Sequence, residues 1–231
     1  MKFLSIFILF TFTFISCKNE EVAKPKVKYD AAETKALKRD TTKLGIADLP
    51  IHFEGASVVV FPIGDLTVGD VKKGSYESAK ASYDNSASFN ISNSMENEIT
   101  GYIRNVKFQI IGQDSIHSLT EKVIMIENMS YIKSKKSFIY TLSDNDTNQD
   151  NSIDNNDLNV LYVSDEQGNN FKKISPDLHE IIDWEFIEAS GRVYFRTLDD
   201  ANKNGQFDKN DNVHYFYYDF KEAKSTEFKP I

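Results

Sequence analysis

Two twelve-residue segments carry the residue types best suited to hold a hard cation. The first is Asp146-Thr147-Asn148-Gln149-Asp150-Asn151-Ser152-Ile153-Asp154-Asn155-Asn156-Asp157. The second is Asp200-Ala201-Asn202-Lys203-Asn204-Gly205-Gln206-Phe207-Asp208-Lys209-Asn210-Asp211. Each sets an oxygen-bearing side chain at positions 1, 3, 5, 9 and 12 and an apolar residue at position 8. Ca²⁺ takes about six to eight oxygens, and in loops of this spacing position 7 supplies a backbone carbonyl. The expected ligands in the first loop are Asp146, Asn148, Asp150, Asp154 and Asp157, with the carbonyl of Ser152. In the second they are Asp200, Asn202, Asn204, Asp208 and Asp211, with the carbonyl of Gln206. Position 6 must turn sharply at positive φ, which Gly205 does freely and Asn151 tolerates next best.

This ligand spacing resembles the EF-hand loop, and Asp in place of Glu at position 12 is closer to dockerin loops. The resemblance implies two Ca²⁺ ions. The first loop carries four carboxylates and the second three, so tighter binding is expected at the first. Mg²⁺ fits less well, because it demands a compact octahedron and keeps its waters. A sensor EF-hand sits between helices that swing apart, whereas the flanks here read as strands. Structural calcium is therefore expected, with Ile153 and Phe207 at position 8 pinning each loop to the core.

The flanking elements must hold these loops. Ser137–Leu142 and Val193–Leu198 alternate in strand fashion and run directly into the loops, and Asn159–Ser164 and Val213–Tyr218 follow them. Asp146 and Asp200 are 200 − 146 = 54 residues apart, and Asp165 and Asp219 are separated by the same 54. Upstream, Thr141 and Thr197 differ by 197 − 141 = 56, so two residues are gained or lost just before the loop, and the recurrence of strand, loop and strand indicates a duplicated unit. Four strands in each unit of about 50 residues match the composition of a propeller blade. The stretch Leu161-Tyr162-Val163-Ser164-Asp165-Glu166-Gln167-Gly168 through Lys172-Lys173-Ile174-Ser175 resembles a TolB-type β-propeller repeat. Ile181–Phe186 and Gly191–Phe195 match the two strands that open the next repeat. The usual Ser-Pro-Asp-Gly joint is replaced by Glu188-Ala189-Ser190-Gly191. The fold expected is all-β, with about three to four propeller-like antiparallel blades in a closed or an incomplete ring, and a two-layer β-sandwich as the alternative. Its divisions are a divergent unit over 44–120, a repeat with the first loop over 123–176 and a repeat with the second over 179–230. Strands are also expected over Ala56–Phe61, Ser88–Ile91 and Tyr102–Ile111, and a long exposed loop over Gly69–Glu96.

The N-terminal end reads differently. Met1-Lys2 precedes an apolar and hydroxyl run from Phe3 to Ser16, too short for the ~20 residues of a membrane span. Phe14-Ile15-Ser16-Cys17 resembles a bacterial lipoprotein signal, which implies a signal peptide over 1–16 and lipid on Cys17, the single cysteine. Lys18-Asn19-Glu20-Glu21 resembles the surface-export signal of Bacteroidetes-type lipoproteins. These resemblances imply a lipid-anchored protein of the outer membrane, on its periplasmic or its surface face. Residues 17–43 are rich in Lys, Glu, Ala and Thr and read as a flexible tether, with a helical turn or two over Ala31–Lys38.

Net charge is −8, or −8 − 1 = −9 once Lys2 is removed, and much of it sits in the two loops. With no basic stripe, a nucleic-acid role is disfavoured. His52, His117, His179 and His214 show no zinc-type spacing, and P-loop, Rossmann and G-x-S-x-G patterns are absent, so no nucleotide site or catalytic residue is assigned. His179-Glu180 and Asp183 beside Trp184 could line a cleft, or simply be strand and turn residues. The expected function is a non-enzymatic, calcium-stabilised envelope lipoprotein that binds a protein or glycan. The competing reading is a surface polysaccharide hydrolase or lyase with structural calcium.

Overall fold

The structure, a computed structural model, describes residues 25–29, 43–67 and 91–231. The signal segment, Cys17, the expected helical turns and most of the loop expected over 69–96 lie outside them. The described chain is all-β, as expected, and forms three antiparallel sheets. Sheet one has the order β1-β2-β5-β6, from Lys43–Ala47, Val58–Thr67, Asn105–Ile110 and Ile116–Ser118. Sheet two has six strands in the order β10-β9-β8-β7-β4-β3. These are Lys172–Lys173, Val160–Asp165, Ser137–Ser143, Met125–Ile132, Glu98–Ile103 and Ile91–Met95. Sheet three is the meander β11-β12-β13-β14, from His179–Ile187, Arg192–Asp199, Asn212–Asp219 and Lys224–Phe228. One sheet curls into a half-barrel, and the described strands do not close into a propeller.

The departure from a simple blade series has a visible cause. The β3–β4 hairpin lies in sequence between β2 and β5 of sheet one, yet it pairs onto β7 of sheet two. That exchange widens the second sheet and explains why the repeat pattern fades before residue 123.

Period-two alternation in β8 sends side chains to both faces, and both faces are buried. Phe138, Tyr140 and Leu142 join Val58, Val60, Val106 and Phe108 in a core between sheets one and two. Ile139, with Leu161 and Val163, faces Val193, Phe195 and Tyr218 in a second core between sheets two and three. Phe138 is the aromatic centre of the first core, 5.0 Å from Tyr131, 5.3 Å from Phe53 and 5.9 Å from Phe108 between ring centroids. Burying each such side chain contributes about 1.5–3 kcal/mol. The Tyr140 hydroxyl, sealed in this core, is satisfied by Ser164 Oγ at 2.8 Å. Gly168, at φ +79°, lets the β9–β10 turn lie against Phe108, where a Cβ would sit 2.5 Å from the ring.

Glu166 in the same turn ties sheet one to sheet two. Its carboxylate accepts from Ser57 Oγ at 2.8 Å, from Ser57 N–H at 3.4 Å and from the Tyr131 hydroxyl at 3.2 Å. Partial burial raises the Glu166 pKa, but these bonds and nearby Lys136 outweigh it, so the net shift is downward. For an acid with a depressed folded pKa, the stabilising contribution is complete above the unfolded value of 4.5. It is lost as pH falls through the lower, folded value. Glu166→Gln is therefore expected to be less stable than the parent at pH 7, with the gap closing below about pH 4.5. Urea titrations of both chains at a series of pH values test this, and a gap that stays constant refutes it.

Candidate metal centre

Both acidic loops join neighbouring central strands of their units, the first from β8 to β9 and the second from β12 to β13. Their internal hydrogen bonds match position for position. At position 1, Asp146 accepts from the N–H of Asp150 at 2.9 Å and of Asn151 at 2.8 Å. Asp200 accepts likewise from Asn204 at 3.1 Å and Gly205 at 2.6 Å. At position 3, the side-chain oxygens of Asn148 and Asn202 each accept from position 5 at 2.9 Å. Position 5 accepts from position 7, Asp150 from Ser152 at 2.9 Å and Asn204 from Gln206 at 2.7 Å.

The closing residue behaves the same way. Asp157 takes the N–H of Thr147 at 2.7 Å and of Asp154 at 3.0 Å. Asp211 takes those of Ala201 at 3.1 Å and Asp208 at 2.7 Å. At position 9, Asp154 and Asp208 cap the N–H of Asn156 and Asn210. Positive φ recurs at positions 4 and 6, at Gln149 (58°) and Asn151 (70°), then Lys203 (57°) and Gly205 (78°). Only the position 6 turn was expected; the turn at position 4 falls on residues with no left-handed preference.

Every donor in these loops to a cation would be oxygen, and a carboxylate oxygen holding one N–H, as each oxygen of Asp146 does, keeps a lone pair for a cation, whereas Asp157 Oδ1 already accepts from Thr147 N–H, Thr147 Oγ1 and Asn148 N–H. The donor set therefore fits a hard cation. Among the described residues no three His, Cys, Asp or Glu side chains converge into a ready-made cage. The carboxylates of both loops are turned onto backbone N–H groups. Asp157 is fully buried and Asp200 nearly so. Burial pushes the Asp157 carboxyl above its usual range against the N–H groups of Asp154, Asn148 and Thr147, and Asp146 adds to the rise. Ile153 and Phe207 are half-buried and belong to neither core, so position 8 does not pin the loops as expected.

The stretch expected to be tether contains a docked segment. Pro25–Tyr29 lies across both loops as a strap, with Val27 buried. Lys26 and Val27 donate their N–H groups to Gly205 O, at 2.7 and 3.3 Å, and Lys28 N–H donates to Thr147 O at 2.9 Å. In return Thr147 Oγ1 donates to Lys26 O at 2.7 Å, and Gln149 Nε2 to Lys28 O at 2.9 Å. Lys26 Nζ pairs with Glu180 at 2.6 Å, and the Tyr29 phenol bonds to Asp200. Partial burial, then Asp200, raise the Tyr29 pKa to about 12.

The remaining sequence candidates separate. Glu180 binds Lys26 and the Asn159 N–H, and Asp183 pairs with Arg196. Trp184 does line a groove of about 580 Å³, with Glu185 and Phe186 of β11 on one side and Glu98, Asn128 and Ser130 of sheet two on the other. His179 and His214, 35 positions apart in sequence, meet with ring centroids 5.0 Å apart. Pairing of β11, β12 and β13 brings them together, His179 opposite Asp199 and His214 opposite Thr197. Burial, then His214, hold the His179 pKa below the usual histidine value. Comparison with known protein families, with curated proteins and with solved structures finds no match.

Position 6 is left-handed in both loops, and in the second the strap also presses on it, so the reverse exchanges Asn151→Gly and Gly205→Asn should differ in size as well as in sign. Asn151→Gly relieves a left-handed asparagine and is expected to be neutral or stabilising by up to about 1 kcal/mol. Gly205→Asn places a Cβ that would lie 2.1 Å from Val27 O, so it must displace the strap. Thermal melts of both variants test this; a loss for Gly205→Asn no larger than the gain for Asn151→Gly would show that the strap does not press on Gly205.

Proposed function

We propose that this chain is a calcium-binding lipoprotein of the outer membrane, anchored through Cys17, in which two Ca²⁺ ions stabilise a β domain that binds an envelope protein or a glycan. The carrying observation is the set of hydrogen bonds that recurs at positions 1, 3, 5, 9 and 12 of both loops, at equivalent places in two units. Random acidic turns have no reason to share a ladder that orients oxygens at positions 1, 3, 5, 9 and 12. Calcium would be held by Asp146, Asn148, Asp150, Asp154, Asp157 and the Ser152 carbonyl. The second ion would be held by Asp200, Asn202, Asn204, Asp208, Asp211 and the Gln206 carbonyl. Calcium supplies charge neutralisation there, relieving carboxylates that burial otherwise penalises.

The propeller-like reading belongs with this proposal. Strands β11 to β14 follow one another as a four-stranded meander, as a blade would, and support kinship with TolB-type repeats without ring closure. The groove beside Trp184 supports the binding role, because an aromatic side chain beside amide, hydroxyl and carboxylate groups suits a sugar or a peptide. The same groove gathers Glu96, Glu98 and Glu185, and this favours polysaccharide hydrolysis or elimination as the second reading.

The test is a thermal melt of the chain from residue 18 onward, so that the strap is retained. Calcium is titrated against chelator, with magnesium as control. Each site should add about 1.4 kcal/mol at tenfold excess over its dissociation constant. The rise should be calcium-specific and vanish when Asp146→Ala and Asp200→Ala are combined. No shift in the parent chain would sink the calcium reading.

A further inference from the structure

A segment N-terminal to the β domain is stitched to both acidic loops at once. Val27 supplies the buried anchor, and five backbone groups of Lys26, Val27 and Lys28 (three N–H and two C=O) bond to Gly205 O, Thr147 and Gln149. The acceptors on the loop side are backbone carbonyls, whose directions are set by the loop turns. Gly205 O is placed by the turn in which Asp200 holds the Gly205 N–H, and Thr147 O by the turn in which Asp157 holds the Thr147 N–H. Any event that orders those turns therefore orders the strap's partners. Strap residues outside the loops add Lys26 with Glu180, an ion pair whose carboxylate side chain is 14% exposed.

We infer that Pro25–Tyr29 is a calcium-dependent latch: with the loops filled the strap is docked across them, and with the loops emptied it is released. This inference rests on the calcium reading of the loops. Four carboxylates in the first loop and three in the second repel one another without a cation, and loops that spread lose the carbonyl pair the strap needs. Linkage makes the coupling reciprocal, so strap docking tightens calcium binding by the factor by which calcium tightens docking.

The latch also sets how far the domain stands from a lipid on Cys17. From Cys17 to Pro25 there are 25 − 17 = 8 residue steps, at most about 29 Å of chain. The next described element of the chain is β1 at Lys43, 43 − 17 = 26 steps from Cys17, or at most about 94 Å. Docking thus keeps the loop end of the domain near the anchor, and release lifts that limit.

The chain's only cysteine is Cys17, so a Cys17→Ser chain carrying Lys28→Cys and Lys209→Cys accepts two spin labels on exposed residues of the strap and the second loop. Distances between labels are measured by pulsed electron resonance, and calcium uptake by calorimetry on the same sample. The expected result is one short, narrow distance in calcium and a broad, longer distribution in chelator. Val27→Asn, which adds no charge beside the loops, should broaden the distribution even in calcium and weaken calcium binding on the order of tenfold. Calcium uptake with an unchanged distance in chelator would overturn the latch and leave the calcium reading standing. Absence of calcium uptake would overturn both. For the lipidated chain on phospholipid vesicles, energy transfer from a dye at Lys209→Cys to a membrane dye should fall in chelator; constant transfer refutes the change of standoff.

Discussion

Strand β8 is buried on both faces, and the molecule is arranged around that constraint. Phe138, Tyr140 and Leu142 serve the core shared with sheet one, while Ile139 serves the core shared with sheet three. A strand in this position has no solvent side, so each residue must suit one of two packed layers. Its polar atoms must be satisfied internally, which the Tyr140–Ser164 bond accomplishes. Losing Phe138 would open the first core and loosen the strand that also presents Ile139 to the second. The first acidic loop begins three residues beyond this strand, at Asp146. Its stem is therefore held by both cores, and the second loop is held by β12 and β13 of sheet three.

That support matters because the loops are expensive to fold unaided. Asp157 is buried with its carboxyl pushed towards the neutral form, while several backbone N–H groups pull the other way. Backbone donors alone leave burial ahead. A divalent cation at the same oxygens reverses the balance, since it favours the charged form directly. On the proposed function, the protein carries a frame of turns whose charge is completed by the ion.

Much of this was legible in the sequence, for identifiable reasons. Ser137–Leu142 and Val193–Leu198 read as strands because alternation survives burial, and β8 and β12 begin within a residue of those spans. The 54-residue offset was legible too: Asp165 and Asp219 both close a strand and cap the turn that follows, accepting N–H groups from Gln167 and Lys221. The strap was not legible. Pro25-Lys26-Val27-Lys28-Tyr29 has one aliphatic anchor, and its attachment is mainly backbone hydrogen bonding to turns far along the chain, which composition does not encode. The His179–His214 contact depended on strand register, and the transfer of β3 and β4 to sheet two depended on pairing across a long segment. Neither leaves a local signature.

The positions of strap and groove along the same strands bear on the binding role. On β11, His179 and Glu180 lie at the loop end, where Glu180 meets Lys26 of the strap. Trp184, Glu185 and Phe186 lie towards the opposite end, near the hairpin closed by Ile187 and Arg192. Trp184 is 184 − 179 = 5 residue steps along the strand from His179, about 17 Å at the usual rise. Sheet two repeats the polarity: the first loop leaves the C-terminal end of β8, while Ser130, which lines the groove, pairs with Ile139 in its N-terminal half. A docked strap draws the loop end towards the lipid, so on the proposed reading the groove is the part of the domain turned away from the membrane. Calcium would then do two things through one set of oxygens, holding the β domain together and orienting its binding surface outward.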